Sequence, residues 1–193
     1  MKKKILIVAA IVLAIVAAIC TAIVISNNDN NKSGKLKSVS DVKTMFNSIY
    51  EDLGDELPSL ETESIDASDE NLVTTYTGLK SNKYVAELIV SEPFINAQAY
   101  SAVVVIAKDG ANIEDMKKEM LDNINMNKWV CVSAGKLYIT NSGNVIFLIM
   151  SDDDWAKPVY EGFKKYVDNK VGKELEKTNE LQDIELPSEM IVE

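Results

Sequence analysis

The sharpest concentration of reactive side chains is Asp152-Asp153-Asp154, three adjacent carboxylates directly before an apolar helical stripe. Calcium takes several carboxylate oxygens, so this run is a candidate cation-ligand set. The alternating Asp-x-Asp-x-Asp-Gly spacing of a calcium loop is absent, and acids at a helix start are stabilised by the helix dipole with no ligand at all. Asp152, Asp153 and Asp154 are therefore weak metal candidates, with the structural reading ahead. Ser40-Asp41-Val42-Lys43 has the Ser-x-x-Lys spacing of serine acyl-enzymes, but the Lys-Thr-Gly and Ser-Asp-Asn elements that chemistry also needs do not occur. A helix N-cap explains Ser40 more simply.

The chain has neither His nor Arg. That removes the commonest general base and metal ligand and the planar fork that clamps carboxylates and phosphates. A Gly-rich phosphate loop is also absent. Cys131 lies in a β-rich stretch and is expected to be a buried, small apolar residue, since no His stands by to lower its pKa. Cys20 lies inside the apolar N-terminal segment, so no internal disulfide is expected. Trp129 and Tyr138 suit a ligand platform, although aromatics in a strand pattern more often pack on a sheet face. The 30 acids offer many carboxylate pairs for hydrolysis, and none is singled out. No catalytic and no cofactor-binding residue is assigned.

Charge narrows the partners. Of 193 residues, those past residue 26 include 17 lysines against 30 acids, a formal −13. Such a domain repels nucleic acid and anionic headgroups. The N-terminus is different: Lys2, Lys3 and Lys4 precede Ile5–Ile25, an uncharged apolar run long enough to cross a bilayer at about 1.5 Å per residue. A signal anchor over 1–26 leads, with the N-terminus cytoplasmic and the rest outside. A cleaved secretory signal ending at Val24-Ile25-Ser26 and a lipoprotein signal ending at Cys20 are the alternatives.

Residues 27–38 read as a polar linker, with Asn31-Lys32-Ser33 spaced as a glycosylation sequon. The domain spans 39–171. Val42, Met45, Phe46, Ile49 and Leu53 make a helical stripe over Val39–Leu53, capped by Ser40 or Asp41 and ended by Gly54. Glu56–Ser81 reads as a long loop with at most one helical turn at Ser68–Val73. Strands are expected at Lys83–Ser91 and Gln98–Lys108 and a turn at Asp109-Gly110. A helix capped by Asn112 follows, with Ile113, Met116, Met120, Leu121 and Ile124 inward and Lys117, Lys118 and Glu119 outward. Trp129–Met150 reads as a hairpin turning at Asn141-Ser142-Gly143-Asn144, with Val145–Met150 as a central, buried strand. Trp155, Val159, Phe163, Tyr166 and Val167 stripe a last helix. Pro158 requires either a start near it or kinked first turns. Residues 172–193, with seven acids against two lysines, read as an acidic, frayed helical extension and tail. The fold class is α+β, an antiparallel sheet of about four strands with helices on one face.

Ser91-Glu92-Pro93-Phe94-Ile95-Asn96-Ala97-Gln98-Ala99-Tyr100-Ser101, then Lys128-Trp129-Val130-Cys131-Val132 and Ile146–Ser151, resemble a family of short bacterial proteins of unknown function. Those proteins carry an N-terminal signal, anchor or lipoprotein segment and one small extracytoplasmic domain. The resemblance implies location and domain extent, and no activity. Ile19 departs from the small residue that a lipoprotein cysteine prefers before it. A membrane-tethered, non-enzymatic module binding a protein or envelope component is the leading expectation. A carboxylate-dependent hydrolase of envelope material is the rival.

If the apolar segment is an uncut anchor, the full-length protein should stay in the membrane fraction through an alkaline carbonate wash. Protease added to spheroplasts should release the domain and leave a small N-terminal fragment. A mature N-terminus at Asn27, with protein in the medium, would establish secretion instead.

Overall fold

Every residue of Tyr100–Ala107 and of Val145–Ser151 is buried, and these two strands pair at the centre of the sheet. In the computed structural model, residues 34–94 and 97–179 are described. Their elements in chain order are α1 (Val39–Leu53), a 3₁₀ turn (Gly54–Glu56), β1 (Leu60–Ile65), α2 (Glu70–Thr77), β2 (Val85–Pro93), β3 (Tyr100–Ala107), α3 (Ile113–Asn123), β4 (Lys136–Ser142), β5 (Val145–Ser151), α4 (Asp153–Tyr166) and β6 (Leu175–Thr178). The fold is α+β with one antiparallel sheet in the order β1-β2-β3-β5-β4-β6.

Six strands replace the expected four, and helices cover both faces rather than one. The reason lies in the continuous apolar runs of β3 and β5, whose alternate residues point to opposite sides. Val103, Val105, Ile146, Leu148 and Met150 join one cluster with Val73 of α2 and Ile113, Met116 and Met120 of α3. Ala102, Val104, Phe147 and Ile149 join another with Val42, Met45, Phe46 and Ile49 of α1 and Val159 and Phe163 of α4. Phe147 and Phe163 stack at 4.4 Å between ring centroids. Fully burying one such side chain contributes about 1.5–3 kcal/mol, so neither face can be left in water.

The two extra strands come from stretches of weak β character. β1 (Leu-Glu-Thr-Glu-Ser-Ile) lies in the expected long loop, and β6 in the expected helical extension. Both pair along strands that were already legible, β2 and β4. Neighbouring backbone outweighs their own propensity. α2 fills the rest of that expected loop, capped by the Asp69 carboxylate and ended at Gly78. Leu36, placed in the linker by its polar neighbours, is buried in the second cluster. Ser38, rather than Ser40 or Asp41, caps α1: its hydroxyl accepts the Asp41 N–H.

The expected hairpin is shorter at its start. Trp129–Gly135 is irregular, and β4 begins at Lys136. Its register runs to Ser142 opposite Val145, leaving Gly143-Asn144 as the turn. α4 starts at Asp153 and carries Pro158 in its interior, so the Asp154 carbonyl lacks the usual i+4 N–H. Among the described residues no helix is long and apolar enough to cross a membrane. Ile5–Ile25, the Asn31 sequon and the tail past Asn179 lie outside them.

Lys117 departs most from the sequence reading. Expected outside, its side chain is fully buried. Its ammonium donates to Asn141 Oδ1 at 2.7 Å and the Lys173 carbonyl at 2.6 Å, and pairs with Glu114 at 2.7 Å. All three of its donors thus meet oxygens. Gly172 lets this strap close: a Cβ there would lie 2.2 Å from Asn141 Oδ1. The result ties α3, β4 and the segment entering β6.

Lys117→Met should leave Asn141 Oδ1 and the Lys173 carbonyl without their donor. At about 1–3 kcal/mol for each orphaned buried group, a loss of about 2–4 kcal/mol in urea denaturation is expected. The amides of β6 should be the first to exchange. Unchanged stability would mean that the strap is not held by this ammonium.

Candidate binding cleft at the sheet edge

The sequence-selected residues do not converge. Asp152 occupies the N-cap position of α4, and Asp153 accepts the Tyr138 hydroxyl at 2.6 Å. Among the described residues no three His, Cys, Asp or Glu side chains gather as a metal-ligand group. Ser40 lies within the first turn of α1, where its carbonyl accepts the Thr44 hydroxyl. Trp129 belongs to the first core cluster and Tyr138 packs on the second, so the two aromatics lie on opposite faces of the sheet and form no platform. Tyr138 instead stacks on Tyr160 at 5.0 Å. Both phenols are pushed above their ordinary value, by burial first and then by hydrogen bonds to Asp153 and Glu174 respectively.

Cys131 is exposed and not buried, correcting the sequence expectation. It lies before β4 with φ of 66°, a left-handed conformation uncommon outside glycine. The run Trp-Val-Cys-Val has the composition of a strand, but Val130 is 78% exposed and pairs with nothing in the sheet. An open hollow of about 490 Å³ beside Cys131 includes Gln98, Ser133, Asp152 and Trp155. No cationic side chain among the described residues lines it to favour a thiolate.

The most distinctive surface is at the margin of the sheet where β1 meets β2. The register sets Glu61 against Glu92 and Glu63 against Val90. All four point to the face covered by α2 and α3. Like charges directly opposite on neighbouring strands destabilise the pair, and Lys128 offsets this. Its ammonium bridges to Glu92, donates to Ser101 Oγ at 3.2 Å, and sits 4.9 Å from the Tyr76 ring centroid and 5.2 Å from that of Trp129. Burial draws the Lys128 pKa below its ordinary value, and Glu92 opposes that shift.

Glu61 and Glu63 form no ion pair among the described residues. With Glu92, Tyr76 and Phe94 they line a hollow of about 180 Å³. Phe94 is 83% exposed at its rim. The field is felt inside: burial, then Glu92 and Glu63, raise the Tyr76 hydroxyl above the ordinary phenol value. A hollow this small holds one long side chain, since sites for drug-sized ligands run to about 300–1,000 Å³. Two unpaired carboxylates beside aromatic rings suit an ammonium or guanidinium. Sequence reasoning missed this site because β1 was not recognised, and only the β1–β2 register brings Glu61 beside Glu92.

A larger groove of about 920 Å³ runs between α1 and α4. Gly162 permits the close approach of these helices, as a Cβ there would lie 2.8 Å from Ile49. Lys165 pairs with Asp52 across the groove at 2.9 Å, and Lys35 with Asp168 at 2.7 Å. Its lining charges balance, so it favours no sign of ligand.

General-acid chemistry requires a carboxyl held above its ordinary range. Asp41, Asp66, Asp168 and Glu174 move the other way. Their carboxylates accept, respectively, from the Lys37 N–H, Ser68, Lys35 and the Tyr160 hydroxyl. No family model, curated protein or solved structure matches the chain.

Cys131 should react rapidly with a polar thiol reagent in the native protein, at close to the rate of the urea-unfolded chain. Slow labelling would restore the buried reading. Glu174 gives a pH dependence. Its folded pKa is depressed, so its contribution to stability is present above the ordinary glutamate value of about 4.3. That contribution is lost as the pH falls through the lower folded value. Glu174→Gln should therefore reduce stability at pH 7 and narrow its difference from wild type in acid. A difference that does not change with pH would exclude this linkage.

Proposed function

We propose that the chain is a membrane-tethered, extracytoplasmic binding module without catalytic activity, and that it takes a cationic group of a protein or envelope partner at the acidic cleft of β1 and β2. The observation that carries this is the pair of unmatched carboxylates, Glu61 and Glu63, beside Glu92, Tyr76 and the exposed Phe94. The apolar Ile5–Ile25 segment, preceded by three lysines, supports the tether and its orientation. The resemblance to small bacterial extracytoplasmic proteins accords with it. The net negative charge past residue 26 favours approach of basic partners and disfavours nucleic acid.

The hydrolase alternative draws less support. The cleft is small and open, and its innermost carboxylate, Glu92, is matched by Lys128. Asp152, Asp153 and Asp154 supply no second constellation.

Cationic binding is tested with a lysine-rich peptide and a glutamate-rich control of equal and opposite charge, followed through tryptophan fluorescence or calorimetry. The cationic peptide should bind the wild type in a salt-sensitive manner. Glu61→Gln with Glu63→Gln should weaken it about 3- to 30-fold, the effect of removing two solvent-exposed charge pairs. Equal binding of both peptides, or no loss in the double variant, would rule the cleft out as the site.

A further inference from the structure

Resting on the cationic-cleft reading, we infer that the partner is an extended basic peptide segment that adds to the open edge of β1 as a seventh strand. Among the described residues β1 is an edge strand of the sheet and pairs with β2 alone. Among the described residues, no other backbone bonds to its outer edge. Outward N–H and C=O groups are a ready template for another chain.

Sheet edges are commonly guarded by lysine, proline, bulges or shortness. The other edge strand, β6, has only four residues and carries Lys177. β1 has six, with no lysine or proline, and its register with β2 is unbroken from Leu60 to Ile65. Its only guard is two carboxylates, and these select by charge. A second copy pairing through β1 would set glutamates against glutamates, which destabilises a strand pair. A basic strand meets no such repulsion.

The alternation of β1 specifies the partner's pattern. Glu61 and Glu63 share the cleft face with Glu92, so cationic side chains should recur at every second residue of the added strand. On the other face Leu60 packs against the core and Thr62 donates to Ser91 Oγ at 3.0 Å. Small apolar or hydroxyl side chains suit the partner's intervening positions there. Phe94, beyond the Leu60 end of the strand, offers its ring to the last cation.

The test uses full-length protein in neutral detergent micelles and the probe acetyl-Thr-Lys-Val-Lys-Val-Lys-Thr-amide. Two further probes carry backbone N-methyl groups on one or the other alternate set of amides. Strand addition requires that one methylated set weaken binding about tenfold or more, because main-chain bonds supply much of the affinity, while the other set leaves it unchanged. It also requires protection of alternate β1 amides from hydrogen exchange, and weaker binding to the Glu61→Gln, Glu63→Gln double variant. If both methylated probes bind like the parent and the double variant still weakens all three, the cationic cleft stands and strand addition falls. If no lysine probe binds, the cleft reading fails and the inference with it. Set-dependent binding that ignores the double variant overturns the basic character of the partner. A concentration-dependent dimer dissociated by the probe assigns the edge to a second copy and overturns the inference.

Discussion

β3 and β5 are apolar on both of their faces, and neither face can be left in water. Val103, Val105, Leu148 and Met150 point one way, and Val104, Phe147 and Ile149 the other. One layer of helices would leave half of these side chains exposed, so α2 and α3 close one side while α1 and α4 close the other. The stripes of α1 and α4 are wide enough to cover that second side together, and the Phe147–Phe163 stack fixes how α4 lies on β5. The remaining strands then extend a sheet whose centre is already determined.

Polar contacts decide where the outer pieces attach. Tyr50 of α1 donates to Ser91 Oγ at 2.8 Å and shares a hydrogen bond with the fully buried Tyr100, at 3.1 Å, while Thr62 reaches Ser91 from β1. This hydroxyl group network links α1 with β1, β2 and β3. Burial holds the Tyr100 phenol well above its ordinary value, so it remains a neutral hydrogen-bonding group. On the other face Lys117 links α3 and β4 to the strap before β6. Among the described residues, no buried side-chain nitrogen or oxygen lacks a partner. That is what a sheet requires if polar groups are to sit in a low-dielectric interior.

The acidic surface has a different logic. Most carboxylates lie in solvent or at helix starts, as Asp69 and Asp153 do. At the β1 edge the ladder forces Glu61 and Glu92 together, and the cation that meets them there, Lys128, is held by Glu92 and by two aromatic rings. The charge left over is a property of the register and cannot be inferred from composition. It stands beside an open backbone edge, which is why charge selection and main-chain pairing belong to one proposed interaction.

Residue order alone determined the α+β class, the stripes of α1, α3 and α4, the Asn112 cap and the buried runs of β3 and β5, because 3.6- and 2-residue periodicities are local. It also determined the absence of His and Arg, and with it the narrowness of the available chemistry. Tertiary structure decided what depends on neighbours distant in the chain. β1 and β6 form because β2 and β4 present unpaired edges to them. Lys117 turns inward because Asn141 and the Lys173 carbonyl meet it there, 24 and 56 residues away. Cys131 turns outward because β4 begins only at Lys136, leaving the β-rich residues before it without a strand to pair with. The cleft belongs to this second class: Glu61, Glu92 and Lys128 lie far apart in the sequence, the register of an edge strand sets Glu61 beside Glu92, and the Lys128 side chain reaches Glu92 from the loop before β4.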